Sequence, residues 1–148
     1  MRPTWDQFFL QLAALTATRS KDRSTQVGAV IVDNANNVVS MGYNGFPRGI
    51  DDDVESRHER PAKYLWTCHA EENAILSAAR RGAAVAGCMI YVTHHPCSRC
   101  ARGIVQAGIT RVVVPVGTMI PTMLEDIVTG LEILTEGGVE IVEVSREP

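Results

Sequence analysis

The sequence predicts an α/β domain in which helices cover a single sheet, and three observations lead there. The chain has 148 residues, 45% of them hydrophobic, which is enough for one compact core. Two strand-like runs separated by an asparagine-rich turn come early, at 27–33 and 38–44. After them, helix-period and strand-period segments alternate, which implies helices on both faces of the sheet and parallel pairing among the later strands. The expected unit is one domain over 1–148.

Each element has its own signal. Trp5, Phe8, Phe9, Leu12 and Leu15 recur at helical spacing behind Thr4, a good N-cap, so an amphipathic helix is expected over 5–17. VGAVIVD and VVSMGYN form an antiparallel hairpin through residues 34–37. From Gly45 to Lys63, two prolines, two glycines and many charges leave no sustained period, which predicts a surface excursion of the kind that borders sites. Then follow a helix at 69–82, a strand at 88–93, a helix at 97–108, a strand at 111–116, a helix at 122–136 and a strand at 139–144. The alternation in the last strand fits a half-exposed edge.

Charge and composition narrow the function. A formal charge of −3 gives no general footprint for polymeric nucleic acid and favours a small substrate. No segment approaches the roughly 20 apolar residues that span a bilayer, and the first residues lack a signal-peptide core, so no membrane partner and a cytoplasmic location are expected. In that compartment the four cysteines are metal ligands or buried thiols rather than a disulfide framework.

Two motifs carry chemistry: His69-Ala70-Glu71 opens one expected helix and Pro96-Cys97-Ser98-Arg99-Cys100 opens another. A catalytic zinc takes three nitrogen or sulfur ligands and leaves its fourth position to water. His69, Cys97 and Cys100 could supply the three, with Glu71 as a spare carboxylate. Cys97 and Cys100 stand three apart on a first helical turn, so both sulfurs can face one ion, and the exposed N–H groups there favour thiolate. Pro96, just ahead of that turn, removes a donor that would otherwise lack a partner. Taken singly, C-x-x-C also fits a redox pair or half of a structural zinc knuckle. Together the two motifs match H-x-E…P-C-x-x-C, the signature of zinc-dependent base deaminases.

Over about residues 8–116 the chain resembles the deoxycytidylate deaminase branch of the cytidine deaminase superfamily. The resemblance rests on SKDRSTQVGAVIVD (20–33), GYNGFPRGIDDD (42–53), TCHAEENAI (67–75) and YVTHHPCSRCA (91–101). It implies a three-layer α/β/α fold around a mixed five-stranded sheet, with one zinc per chain on His69, Cys97 and Cys100. The implied reaction converts dCMP to dUMP and ammonia: zinc-bound hydroxide attacks C4, and Glu71 passes the proton of the water to the ring nitrogen next to C4 and later protonates the departing ammonia. Asn44 would bond the sugar hydroxyl and the Ala70 N–H the base carbonyl, although Asn44 also fits a plain turn residue. Also implied are dCTP and dTTP as effectors near 42–53 and a homo-oligomer, commonly a hexamer. Lys21, Arg23, Arg48 and Arg80 are candidate contacts to substrate or effector phosphate, with surface ion pairing the alternative for each.

Two departures stand out. Relatives place an aromatic residue after the fourth strand, near the base, whereas here no aromatic follows Tyr91 and the base must pack differently. Some longer viral members hold a second, structural zinc on cysteines where this chain has Asp22 and Arg23, so one zinc is expected. Competing readings are deamination of cytidine, cytosine, guanine or tRNA adenosine, and a non-catalytic zinc module, for which Glu71 would have no use. Cys68 and Cys88 are expected as buried thiols, His94 and His95 at the pocket or the surface, and Met119 and Met123 as core or interface filler.

Overall fold

The structure, a computed structural model, describes residues 1–145; the last three positions of the expected domain lie outside the described residues. The elements are α1 (Trp5–Ala17), β1 (Gly28–Val32), β2 (Val38–Tyr43), α2 (Lys63–Trp66), α3 (Ala70–Arg80), β3 (Met89–Val92), α4 (Ser98–Gln106), β4 (Arg111–Pro115), α5 (Leu124–Glu136) and β5 (Glu140–Val144). Local chemistry explains their limits. Thr4 Oγ1 accepts the Gln7 N–H while the Gln7 side chain accepts the Thr4 N–H, a reciprocal cap that starts α1. Asp33 accepts the N–H groups of Ala35 and Asn37, and Asn36 takes φ 62°, which closes the β1–β2 hairpin. Gly82, at φ 71°, ends α3 where the sequence places its stop.

The five strands run in the order β2-β1-β3-β4-β5. β1 is antiparallel to both neighbours, while β3, β4 and β5 are parallel. Phe9, Leu10 and Ala13 of α1 pack on Val30, Val32, Tyr91 and Val113 on one face. The other face is covered from α3, α4 and α5 by Ala74, Ala78, Ala101, Ile104 and Leu134, packed with Ala29, Ile31, Ile90 and Val112. The three layers and the mixed sheet agree with the expected architecture, and β5 is a partly exposed edge strand. Among the described residues no helix is long and apolar enough to cross a membrane.

Strand direction positions the site. Because Gly28 pairs with Tyr43 and Ala29 with Val92, the end of β2, the start of β1 and the end of β3 share one edge of the sheet. Parallel pairing brings the end of β4 to the same edge. Clefts at the carboxyl ends of such strands are where α/β proteins bind ligands.

The excursion after β2 is more ordered than its composition implies. A 3-10 turn (Glu55–Arg57) and α2 lie within and just beyond it. Phe46 stacks on His58 with centroids 4.8 Å apart, and the Arg57 guanidinium lies 4.1 Å from the Trp66 ring centroid. These contacts join residues about ten apart, so no local period announces them. Likewise the expected helix at 122–136 begins with a 3-10 turn over Pro121–Met123 and becomes α-helical at Leu124.

One polar cluster fastens α1 to the sheet. Asp6 receives two 2.9 Å bonds from Arg111 of β4 and one of 2.7 Å from the Tyr91 hydroxyl of β3. The bonds from Arg111 hold the Asp6 carboxyl below the usual carboxylate range, outweighing its partial burial. Asp6→Asn is expected to cost about 1–3 kcal/mol in urea unfolding near pH 7. Because the folded value is depressed, this contribution is complete above the unfolded value of about 3.9 and disappears as pH falls toward and through the folded one. The gap between wild type and variant must therefore narrow in acid; a gap that widens would contradict this.

Candidate metal centre and active site

Both chemical motifs sit at helix N-termini on the site edge of the sheet. His69 is the N-cap of α3 and Cys97 that of α4, positions usually held by Ser, Thr, Asp or Asn. His69 makes no capping bond, so its ring is left for other partners. Its Nδ1 lies 3.4 Å from Cys97 Sγ and 3.3 Å from Cys100 Sγ, and the three donor atoms fall within 4.8 Å of one another. Tetrahedral zinc with ordinary bond lengths requires nitrogen–sulfur edges of about 3.6 Å. The donor set therefore fits zinc in both chemistry and spacing.

The electrostatics agree. A bond from the Cys100 thiol, aided by the His69 ring and the Cys100 backbone N–H, outweighs burial and pulls Cys97 down to about 4. Cys100 keeps the proton and is pushed up. A divalent cation can take the place of that one shared proton.

Glu71, one residue into α3, is buried at 5% exposure. Burial is the main cause that raises its proton affinity, and Cys100 is a hydrogen-bond partner. A carboxyl held this way, beside a metal-ligand cluster without belonging to it, is suited to moving protons.

These groups open into a cavity of about 490 Å³, of a size that holds small ligands. Asn44, Ala70, His94, His95 and Met123 line it, whereas Met119 does not. The Asn44 amide accepts the Val27 N–H at 2.8 Å and donates to the Thr25 carbonyl at 2.9 Å, leaving one amide hydrogen for a ligand. His95 is buried, with ring nitrogens 3.2 Å from Thr118 Oγ1 and 3.0 Å from Glu143 Oε1. Cys88 is a buried thiol and Cys68 a half-buried one.

The four cations singled out in the sequence lie elsewhere. Lys21 pairs with Asp52 at 3.0 Å and Arg23 with Glu55, and both line a neighbouring cavity of about 480 Å³. Arg48 and Arg80 line a third hollow, beside Met41 and Leu76. The residues that sequence reasoning missed are Arg60, Lys63 and Tyr64, which line the metal cavity from the excursion and α2. Tyr64 of α2 supplies an aromatic residue to the wall, while Ile120, Thr122 and Met123 line it from the stretch after β4. An aromatic residue just ahead of the His69 motif was the available signal.

Comparison with known proteins follows the same lines. The family described as the cytidine and deoxycytidylate deaminase zinc-binding region matches residues 3–133. The chain belongs to that family. An uncharacterized deaminase of Aliivibrio fischeri is 45% identical over 139 residues, covering 93% of this chain and 91% of that one. The deoxycytidylate deaminase of Homo sapiens is 44% identical over 114 residues, which are 74% of this chain and only 63% of the human enzyme. The dCMP deaminase of cyanophage S-TIM5, solved with dCMP and dUMP, superposes with a TM-score of 0.79 at 26% identity, covering 97% of this chain and 99% of that one. Zinc is the ion that both the family and the donor set support.

Cys100→Ser is expected to leave a folded protein with substoichiometric zinc after dialysis, read by atomic absorption beside circular dichroism. Full zinc occupancy in that variant would remove Cys100 from the ligand set.

Proposed function

We propose that this chain is a zinc-dependent hydrolase that deaminates dCMP to dUMP and ammonia, with His69, Cys97 and Cys100 holding one zinc per chain. The observation that carries the reading is Glu71, a buried carboxyl beside the three ligands and in the wall of a nucleotide-sized cavity. Zinc, when bound, supplies Lewis acidity that makes water a nucleophile near neutral pH. Glu71 would take one proton of that water and give it to the ring nitrogen next to C4, then take the proton of the hydroxyl now on C4 and deliver it to the amine, which leaves as ammonia while C4 becomes the carbonyl of dUMP.

The other groups orient the base. The Ala70 N–H at the start of α3 meets the base carbonyl, and the remaining Asn44 amide hydrogen meets the sugar hydroxyl. Tyr64, Ile120 and Met123 offer apolar surface to a planar ring. A silent zinc module has no use for Glu71, and the desolvation of its carboxyl would be a cost without return. A tRNA substrate calls for a basic face, whereas Lys21, Arg23 and Lys63 are each paired with a carboxylate.

The proposal extends to regulation and assembly. The cavity beside the metal pocket shares Asp22, Ser24, Asn44, Arg60 and Lys63 with it, and Arg19 adds positive charge there. An effector nucleotide, dCTP or dTTP, occupies it in this proposal, and the working form is a cytoplasmic homo-oligomer, a hexamer. Val38, Met41 and Tyr43 of edge strand β2 and Leu76 of α3 are exposed, an apolar surface that assembly would cover.

Ammonia release from dCMP by the zinc-loaded protein, measured beside deoxycytidine and CMP with and without dCTP, tests the whole reading. dCMP should be strongly preferred; equal rates on deoxycytidine would sink the nucleotide assignment. Glu71→Gln should retain zinc and lose at least about a hundredfold in kcat. Loss of zinc with unchanged specific activity per bound metal would instead make Glu71 a ligand or support residue.

A further inference from the structure

The metal cavity must hold a dianionic phosphate if the substrate is a nucleotide, and the cations first suspected of that role do not line it. Arg60 and Lys63 are the Lys and Arg side chains that do. Their situations differ. Lys63 Nζ lies 3.3 Å from Asp22 Oδ2, with side chains only 14% and 12% exposed. Asp22 also accepts the N–H groups of Ser24 and Thr25, so this pair braces the segment ahead of β1 against α2. Arg60 is exposed and has no hydrogen-bond or ion-pair partner among the described residues.

The stretch after β4 offers no substitute. The stretch from Val116 to Met123 contains neither Lys nor Arg, and the charges that follow it, Glu125 and Asp126, are acidic. Lys21 and Arg23 are committed to Asp52 and Glu55. A guanidinium without a partner, at the rim of a cavity whose floor holds the reactive groups, presents five donors in the planar fork that matches phosphate oxygens.

We propose that Arg60 binds the 5′-phosphate of the substrate and sets the preference for nucleotide over nucleoside. This rests on the dCMP reading above. Arg60 acts on binding and takes no part in the proton transfers, which belong to Glu71. The requirement for a phosphate thereby resides in the excursion between β2 and α3 and not in the metal motifs.

The test is the ratio of kcat/KM for dCMP to that for deoxycytidine, measured on full-length zinc-loaded wild type, Arg60→Gln and Arg60→Lys without added effectors. Arg60→Gln should lower the ratio about tenfold to a hundredfold, mainly through KM for dCMP, and Arg60→Lys should restore part of it. Inorganic phosphate should compete with dCMP in wild type and much less in Arg60→Gln. If wild type prefers dCMP but the ratio and phosphate inhibition are unchanged in Arg60→Gln, the assignment of Arg60 is wrong while the dCMP reading stands. If wild type shows no preference for dCMP, the dCMP reading fails and this proposal falls with it. Equal losses on both substrates would make Arg60 a structural residue and overturn the assignment.

Discussion

Everything at this site depends on holding two helix N-termini side by side at one edge of the sheet. His69 and Cys97 are 28 residues apart, yet their donor atoms stand 3.4 Å from each other. Such closeness requires each helix to be seated on backbone rather than on adjustable side chains. At Gly42 of β2, a Cβ would run into the Ala70 carbonyl and the Ala74 nitrogen of α3. At Gly130 of α5, it would come within 2.9 Å of the Pro96 carbonyl, the residue that leads into α4. Ala70, Ala74 and Ala78 continue the same logic along α3, all fully buried. Small residues at these contacts leave few rotamers by which the ligands could drift, and close packing transmits position.

The same seating determines the state of Glu71. Bringing α3 flat against β2 removes the first turn of the helix from water and takes a carboxyl with it. That burial opposes ionisation and costs stability, as buried charges do. Proximity to the N-terminus of α3 offsets part of the cost, because unpaired N–H groups there favour negative charge. The apolar core and the α1 anchor at Asp6 and Arg111 supply the surplus that lets the domain tolerate such a residue.

How far these features could be read in advance depended on whether they are local. Thr4 and Gln7, the hairpin asparagines, and Gly82 act within a few residues, and the elements they bound fell close to expectation. The metal cluster was legible for a different reason: zinc chemistry demands particular residue types at particular spacings, which few other demands reproduce. The ion pairs of Lys21 and Arg23 were not legible, since Asp52 and Glu55 lie 31 and 32 residues away on a segment without a period. The order of that segment comes from Phe46, His58, Arg57 and Trp66 meeting in space. Sequence order does not encode such meetings in any short window.

The site thus has two halves made by different physics. One half is rigid: helix N-termini clamped to a sheet by backbone contact, carrying the His69, Cys97 and Cys100 cluster and the buried carboxyl of Glu71. The other is an arch between β2 and α3, held by aromatic stacking and by Lys63 on Asp22, which contributes Arg60 and Tyr64 to the cavity. Changes in the arch alter what lines the cavity without moving His69, Cys97 or Glu71. Tyr64 illustrates the point, since the aromatic wall comes from α2 and not from the stretch after β4, while the metal cluster keeps its geometry. Reaction chemistry and substrate choice are therefore separable in this domain, and substrate identity has to be argued from the arch, where loops carry specificity on a fixed scaffold.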